Sequence, residues 1–302
     1  MQTFDVIVIG QGFAGLTAAA LCARYGLKTA NVEAELFGGL ILNVNELDPG
    51  PGGTRISGVD LASELATANM EAGITQLSGE ASVTYRFADD GWQVDVAGER
   101  IKAAHVIVAT GARIRDLGIP GEQEFLGRGV SHCADCDGPL FSGREAVVVG
   151  GGDSAFQAAL ALAHYCSRVT VIYRGSVPRA RADLLDRARR QALIVESPRT
   201  LPLEVLGDQG VESLRIDREG AVQALACSGV FIFAGLSANA GCVPVEALRD
   251  ATGALIVDEN GATSLPHLWA IGAVRAGFGG LLDHAAEDAR RVSAAIADLL
   301  AG

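Results

Sequence analysis

One pattern constrains this chain more than any other, and it occurs twice. A short β-branched run leads into a glycine-rich turn and then into an alanine-rich stretch, first near residue 10 and again near residue 150. In the first copy, residues 6–9 read as a strand, Gly10-Gln11-Gly12-Phe13-Ala14-Gly15 as the turn, and residues 16–25 as a helix. Glycine lets the backbone approach a pyrophosphate, while the helix N-terminus offers free N–H groups and a partial positive charge. Residues 28–33 form the next predicted strand, ending in Glu33, 18 residues after Gly15. That is close to the spacing of about 20 at which an acid meets a ribose hydroxyl.

The second copy places a strand at residues 145–149, the turn Gly150-Gly151-Gly152-Asp153-Ser154-Ala155, a helix at 156–166 and a strand at 169–173. This last strand runs into Tyr173-Arg174, where the first copy has an acid. An acid there would repel the extra phosphate of NADP, whereas arginine holds it through charge-assisted bonds. Arg174, Arg179 and Arg181 are the candidates.

Two such units need a chain long enough for two cores, and 302 residues suffice. The 38 glycines and only 5% aromatic residues suit an α/β fold, in which small residues sit where helices press on sheets. A formal net charge of −12 argues against a nucleic-acid partner, because phosphate binding needs a basic surface. Residues 4–21 are apolar but lack a basic leader and are broken by three glycines, so they read as strand, turn and helix. No other stretch approaches the ~18 apolar residues of a membrane span. The expectation is a cytoplasmic protein with no membrane partner. Elsewhere, residues 81–97 alternate as strand around a turn at Asp89-Asp90-Gly91, and residues 106–109 form a strand entering Thr110-Gly111-Ala112. Short apolar strands recur at 229–234 and 268–271, and a helix spans 283–300.

Between the two glycine turns lies Cys133-Ala134-Asp135-Cys136-Asp137-Gly138. The remaining cysteines, Cys22, Cys166, Cys227 and Cys242, are scattered singly, unlike a disulfide-stapled secreted protein. Residues i and i+3 on a first helical turn hold their β-carbons ~5–6 Å apart, close enough to open and close a disulfide. The pair therefore reads as a two-electron relay. Asp135 either raises the thiol pKa values by like-charge repulsion or points to solvent. His132 either supports a thiolate or is a bystander. His105 and His164 have no evident partner, and no histidine, cysteine and acid spacing suggests a metal site.

Together these landmarks, with Gly38-Gly39, Leu117-Gly118-Ile119-Pro120-Gly121-Glu122 and residues 230–235, resemble the low-molecular-weight thioredoxin reductase-like flavoproteins among the pyridine nucleotide-disulfide oxidoreductases. The resemblance implies an α/β fold of two Rossmann-type three-layer ββα domains, the second inserted in the first. Residues 1–114 and 237–302 would form the FAD-binding domain, and 115–236 the inserted NAD(P)-type domain carrying the cysteine pair. FAD would lie on Gly10, Gly12, Ala14, Gly15, Glu33 (at the ribose), Gly39, Leu40, Asn45, Ala109, Thr110, Gly111, Gly272, Ala273, His284 and Ala285. NADPH or NADH would lie on Gly150, Gly152, Asp153, Ser154, Arg174 and Arg179. Cys136 would face the flavin, Cys133 would attack the substrate disulfide, and Asp137 would be the acid–base group. The implied activity is dithiol–disulfide exchange fed by NAD(P)H, with a thioredoxin-like protein or a small disulfide as acceptor, in a homodimer.

The chain departs from that family at several points. Ala273 stands where the family has an aspartate on the ribityl chain, and Asp283-His284-Ala285 where it has Arg-Gln-Ala. Pro49 replaces an asparagine, and Tyr173, Arg174, Gly175 and Arg179 replace a histidine and a denser arginine set. Each lost buried hydrogen bond is worth ~0.5–1.5 kcal/mol, which weakens cofactor binding without abolishing it. A specialised relative fits these changes better than a housekeeping reductase. The alternative is a flavin-dependent dithiol oxidase that forms a disulfide in a small molecule with O2 as acceptor.

Overall fold

In the computed structural model, residues 1–47, 50–53, 55–86 and 91–302 are described. Pro49 and the turn residues Asp89 and Asp90 lie outside them. The chain divides into two compact units, Met1–Arg113 with Ser237–Gly302, and Ile114–Leu236.

The first unit contains strands β1 (Thr3–Ile9), β2 (Thr29–Glu33), β3 (Thr75–Ser78), β4 (Ala81–Arg86), β5 (Gly91–Val96) and β6 (Glu99–Val108). Helices α1 (Phe13–Arg24) and α2 (Gly58–Glu71) interrupt them. The sheet order is β3-β2-β1-β6-β5-β4, and a later strand, Leu268–Ala270, pairs parallel with the end of β6. β1 is parallel to both neighbours, so its near-continuous apolar run is buried on both faces, as parallel strands require. Val6 and Val8 pack with Ala18, Ala19, Ala289 and Val292 of the helical layer. Ile7 and Ile9, one residue out of phase, pack with Val83, Trp92 and Val94 beneath the antiparallel pair β4–β5. The strand period of two thus sorts β1 between two layers. Residues 4–21, whose composition could suggest a leader, are β1, the turn and most of α1.

The second unit follows a short strand, β7 (Ala112–Ile114), and begins with β8 (Val130–Ser131) and a helical turn, α3 (Ala134–Asp137). Then come β9 (Glu145–Val149), α4 (Asp153–Leu162), β10 (Arg168–Tyr173), α5 (Ala182–Arg189) and β11 (Ile194–Pro198). β12 (Thr200–Gly207), β13 (Val211–Arg218) and β14 (Ala221–Ala226) form an antiparallel sheet before β15 (Gly229–Ile232). The parallel sheet runs β11-β10-β9-β15-β8. Val148, Val171 and Phe231 face Phe156 and Leu162 of α4, while Val147, Val149 and Ile172 face Leu214 and Ile216 of the antiparallel layer. Burying one such large side chain contributes about 1.5–3 kcal/mol. The predicted helix at 156–166 starts earlier and ends at Leu162, because Gly152 caps it and the chain turns through residues 163–165.

The chain then continues through β16 (Leu236–Ala238), which pairs with β7, to β17 (Leu268–Ala270) and α6 (Leu282–Ala301) of the first unit. Both units are therefore Rossmann-type three-layer ββα domains, the second inserted in the first. No described helix is long and apolar enough to cross a membrane.

Candidate active site

The cysteine pair is positioned by the end of β8. Ser131 Oγ accepts a hydrogen bond from the Cys133 backbone N–H at 3.0 Å, turning the chain sharply into α3. Cys133 caps that turn: its Sγ accepts from the Cys136 N–H at 3.1 Å, and its carbonyl accepts from the Asp137 N–H at 3.1 Å. The two cysteines are joined in a disulfide, with their Cα atoms 5.3 Å apart. Once the bond opens, the N–H aimed at Cys133 Sγ favours a thiolate there, because a donor to the charged form stabilises it. Cys136 is exposed, and Cys133, Asp135 and Asp137 are half-buried.

The other cysteines are poor nucleophiles. Burial pushes the Cys22 thiol up to about 11, Cys227 to about 12 and Cys242 to about 11, and raises Cys166 as well. Thiolate rather than thiol is the reactive form, so redox chemistry concentrates at 133 and 136.

In the first unit, the predicted flavin residues gather where β1, β2, β6 and β17 end. Gly10 has φ +105, and a Cβ there would collide with the Ala109 carbonyl. A Cβ on Gly15 would overlap the Gly10 carbonyl, so α1 can start only this close to the turn with glycine at 15. Gly12 forms a bridge with Gly38, Gly39 lies against Gly12, and a Cβ on Gly272 would stand 3.0 Å from that of Ala14. The Glu33 carboxylate is held in place: Oε2 accepts from the Gln11 N–H at 2.7 Å, and Oε1 from the Ala34 and Glu35 N–H groups at 2.9 and 3.1 Å. Leu40 and Asn45 are exposed, in and just beyond the 3-10 turn Gly39–Asn43. Thr110 and Gly111 follow β6 and are clamped by Asn239: Thr110 Oγ1 donates to its carbonyl at 2.7 Å, and Asn239 N–H donates to Gly111 O at 3.0 Å.

His284 and Ala285 open α6, the imidazole exposed and the methyl buried. The ring fills the space a Cβ on Gly279 would take and meets Phe278 edge-on at 6.5 Å. Ala273 lies in a 3-10 turn, Gly272–Val274, fastened by a carboxylate that sequence reading missed. Asp288 is buried and accepts from Gly272 N–H at 3.0 Å, Arg275 Nε at 2.6 Å and Nη2 at 2.9 Å, and Arg291 Nη2 at 2.7 Å. His105, which showed no partner in the sequence, accepts from Trp269 Nε1 at 3.2 Å and meets the His267 ring edge-on at 4.8 Å. His164 lies just past α4, its Nδ1 3.3 Å from Ala161 O.

In the second unit, Gly150, Gly152, Asp153 and Ser154 form the turn and first residues of α4. The exposed Arg181 pairs with Asp153, which accepts its backbone N–H at 2.8 Å and meets its guanidinium at 3.2 Å. Arg174 and Arg179 are exposed and form no ion pair among the described residues, and the Arg179 N–H bonds Gly151 O at 2.6 Å. Tyr173 donates to Glu196 at 2.8 Å, and burial, then Glu196, pushes its hydroxyl up to about 12.

The model of the pyridine nucleotide-disulphide oxidoreductases matches residues 4–296. A thioredoxin reductase of Treponema pallidum is 38% identical over 280 residues, covering 91% of both chains. The chain belongs to this family. It is an FAD flavoprotein and a disulfide oxidoreductase of thioredoxin reductase type. The crystal structure of Lactococcus lactis thioredoxin reductase is similar, with a TM-score of 0.94 and 32% identity over 99% of both chains. That of T. acidophilum thioredoxin reductase gives 0.91 and 26% over 100% of both.

The residues of this family member fit its dinucleotides. Neither α1 nor α4 has a side-chain cap at its N-cap glycine, Gly12 or Gly152. A Cβ on Gly12 would meet one atom, 3.9 Å away, and a Cβ on Gly152 nothing within 4 Å. Each helix thus presents unsatisfied N–H groups to open space, as a pyrophosphate requires.

Proposed function

We propose that this enzyme passes electron pairs from NADPH, through FAD, to the Cys133–Cys136 disulfide and on to a thioredoxin-like protein or a small disulfide. FAD supplies the two-electron exchange between the nicotinamide and the protein disulfide. On this reading Gly10, Gly12, Ala14 and Gly15 seat its pyrophosphate and Glu33 its ribose. Gly39, Leu40, Asn45, Ala109, Thr110, Gly111, Gly272, Ala273, His284 and Ala285 complete the flavin site. Gly150, Gly152, Asp153 and Ser154 seat the nicotinamide dinucleotide, and Arg174 and Arg179 hold its 2′-phosphate.

Two electrons and two protons convert the Cys133–Cys136 disulfide to a dithiol. The Cys133 thiolate attacks one sulfur of the substrate disulfide, and Asp137 supplies the proton that the leaving thiolate takes up. Cys136 then attacks Cys133 in the mixed disulfide, releasing the second substrate thiol and restoring the starting bond. Electrons in and out balance at two per cycle. The reading includes a homodimer, which light scattering on the purified protein tests.

The observation that carries this proposal is the disulfide with a backbone N–H on its Cys133 sulfur, in a chain whose other thiols are pushed up by burial. The test is anaerobic titration of the yellow protein with NADPH and, separately, with NADH. Flavin bleaching with NADPH at lower concentration than with NADH is expected. Bleaching with neither, together with oxygen consumption on adding dithiols, would replace it with the oxidase reading.

A further inference from the structure

We propose that Asp116, Glu122 and His132 form a binding site for a first-row divalent cation within the inserted unit. Their positions in the sequence follow no metal-binding spacing. Two segments bring them together: Asp116 and Glu122 lie in the connection between β7 and β8, before and after the Pro120-Gly121 turn, and His132 follows β8. One donor atom from each lies within 4.8 Å of the others.

Two features mark this as more than a chance meeting of charges. His132 Nε2 is buried and has no hydrogen-bond partner, which a buried ring nitrogen seldom lacks. Glu122 is 2% exposed, a rare state for a carboxylate. Its oxygens accept from the Leu117, Gly118 and Ile119 N–H groups at 2.8, 2.7 and 3.4 Å. Those bonds orient the group but do not saturate it. A carboxylate offers about four lone-pair sites, and Oε1 accepts from Leu117 alone among these three.

A cation bound at about 2.0–2.2 Å from an imidazole nitrogen and two carboxylate oxygens would draw the three donors together by small side-chain rotations. It would give His132 Nε2 its missing partner. Two carboxylates and a neutral imidazole match a 2+ charge. The imidazole disfavours Mg2+ and Ca2+, and the lack of a free thiolate in the oxidised protein disfavours soft ions, leaving the first-row divalent ions from Mn2+ to Zn2+. Asp116 is exposed and gives the ion a route in, with the open coordination positions taken by water.

The proposal stands apart from the redox reading, since no electron passes through the site. Its test is a Mn2+ titration of the oxidised holoenzyme, with the disulfide closed so that no thiol competes, following loss of the six-line EPR signal of free Mn2+. One ion per chain is expected, bound at least tenfold more weakly by Asp116→Asn and by His132→Gln. Mn2+ should also raise the Tm of the wild type and not of Asp116→Asn. Asp298→Asn, on α6 of the other unit, should bind as the wild type does. The proposal is overturned by absence of a stoichiometric site, by unchanged affinity in both site variants, or by equal weakening in Asp298→Asn.

Discussion

Replacing Asp288 by alanine should destabilise the flavin unit more than any other single surface-distant carboxylate change, and the structure sets the size. The Asp288 side chain is 2% exposed, and Arg275, which donates to it from two nitrogens, is 16% exposed. Removing one partner of a buried ion pair costs about 3–5 kcal/mol, chiefly because the other charge is left unpaired. Arg291 softens the loss, since its side chain is 32% exposed and can turn to water. The Gly272 N–H also loses its acceptor, which frees the turn carrying Ala273. A loss of about 4 kcal/mol follows, and with a urea m-value near 3 kcal/mol/M the midpoint should fall by about 1.3 M. Urea unfolding followed by tryptophan fluorescence, with release of flavin fluorescence in parallel, measures both effects. The double variant Asp288→Ala/Arg275→Ala should recover part of the loss, because the buried Arg275 charge is gone and Arg291 can turn to water. A single-variant midpoint within about 0.3 M of the wild type would refute the reasoning.

Other outcomes follow from the same geometry. Burial, then the His267 charge, holds His105 down at about 4, opposed by Asp5. The folded protein therefore keeps it neutral, while the unfolded chain takes up a proton below about 6.5. Stability should be intact above that pH and fall by at most about 3 kcal/mol between about 6.5 and 4. His105→Gln should flatten that part of a Tm-against-pH curve, and an unchanged slope would count against it. Gly15→Val should yield colourless protein that does not take up added FAD, because its side chain would overlap the Gly10 carbonyl. Arg174→Ala should raise KM for NADPH by roughly 10–100-fold, the worth of one charged hydrogen bond, with kcat and the NADH constants unchanged. Equal effects on both nicotinamides would remove Arg174 from the 2′-phosphate.

Both glycine turns were legible because strand, turn and helix each carry a local signal there, and the chain order of the landmarks supplied the nested architecture. Other elements signalled too faintly. Helix α2 begins with Ser57 and Asp60 exchanging hydrogen bonds in a capping pattern, but its apolar stripe is narrow. The β12–β14 sheet alternates buried Leu214 and Ile216 with polar neighbours, yet lies between stretches that look like loop. What no sequence pattern could show is convergence over distance. Asn239 holds Thr110 from 129 positions away, and Asp288 fastens Gly272 from 16. The Arg181–Asp153 contact, which draws one of three candidate phosphate ligands to the start of α4, belongs to the same class. Such pairs arise when loops that close different strands meet at one sheet edge, and the strand pattern does not record which ones meet.

Counting thiols tests the redox centre most directly. After anaerobic reduction by NADPH and quenching in denaturant, two more thiols per chain should react than in the untreated protein. With Cys136→Ser, none should be gained and disulfide turnover should stop, although the flavin should still bleach. A titre that does not rise in the wild type, or turnover that survives the serine, would contradict the role of Cys133 and Cys136.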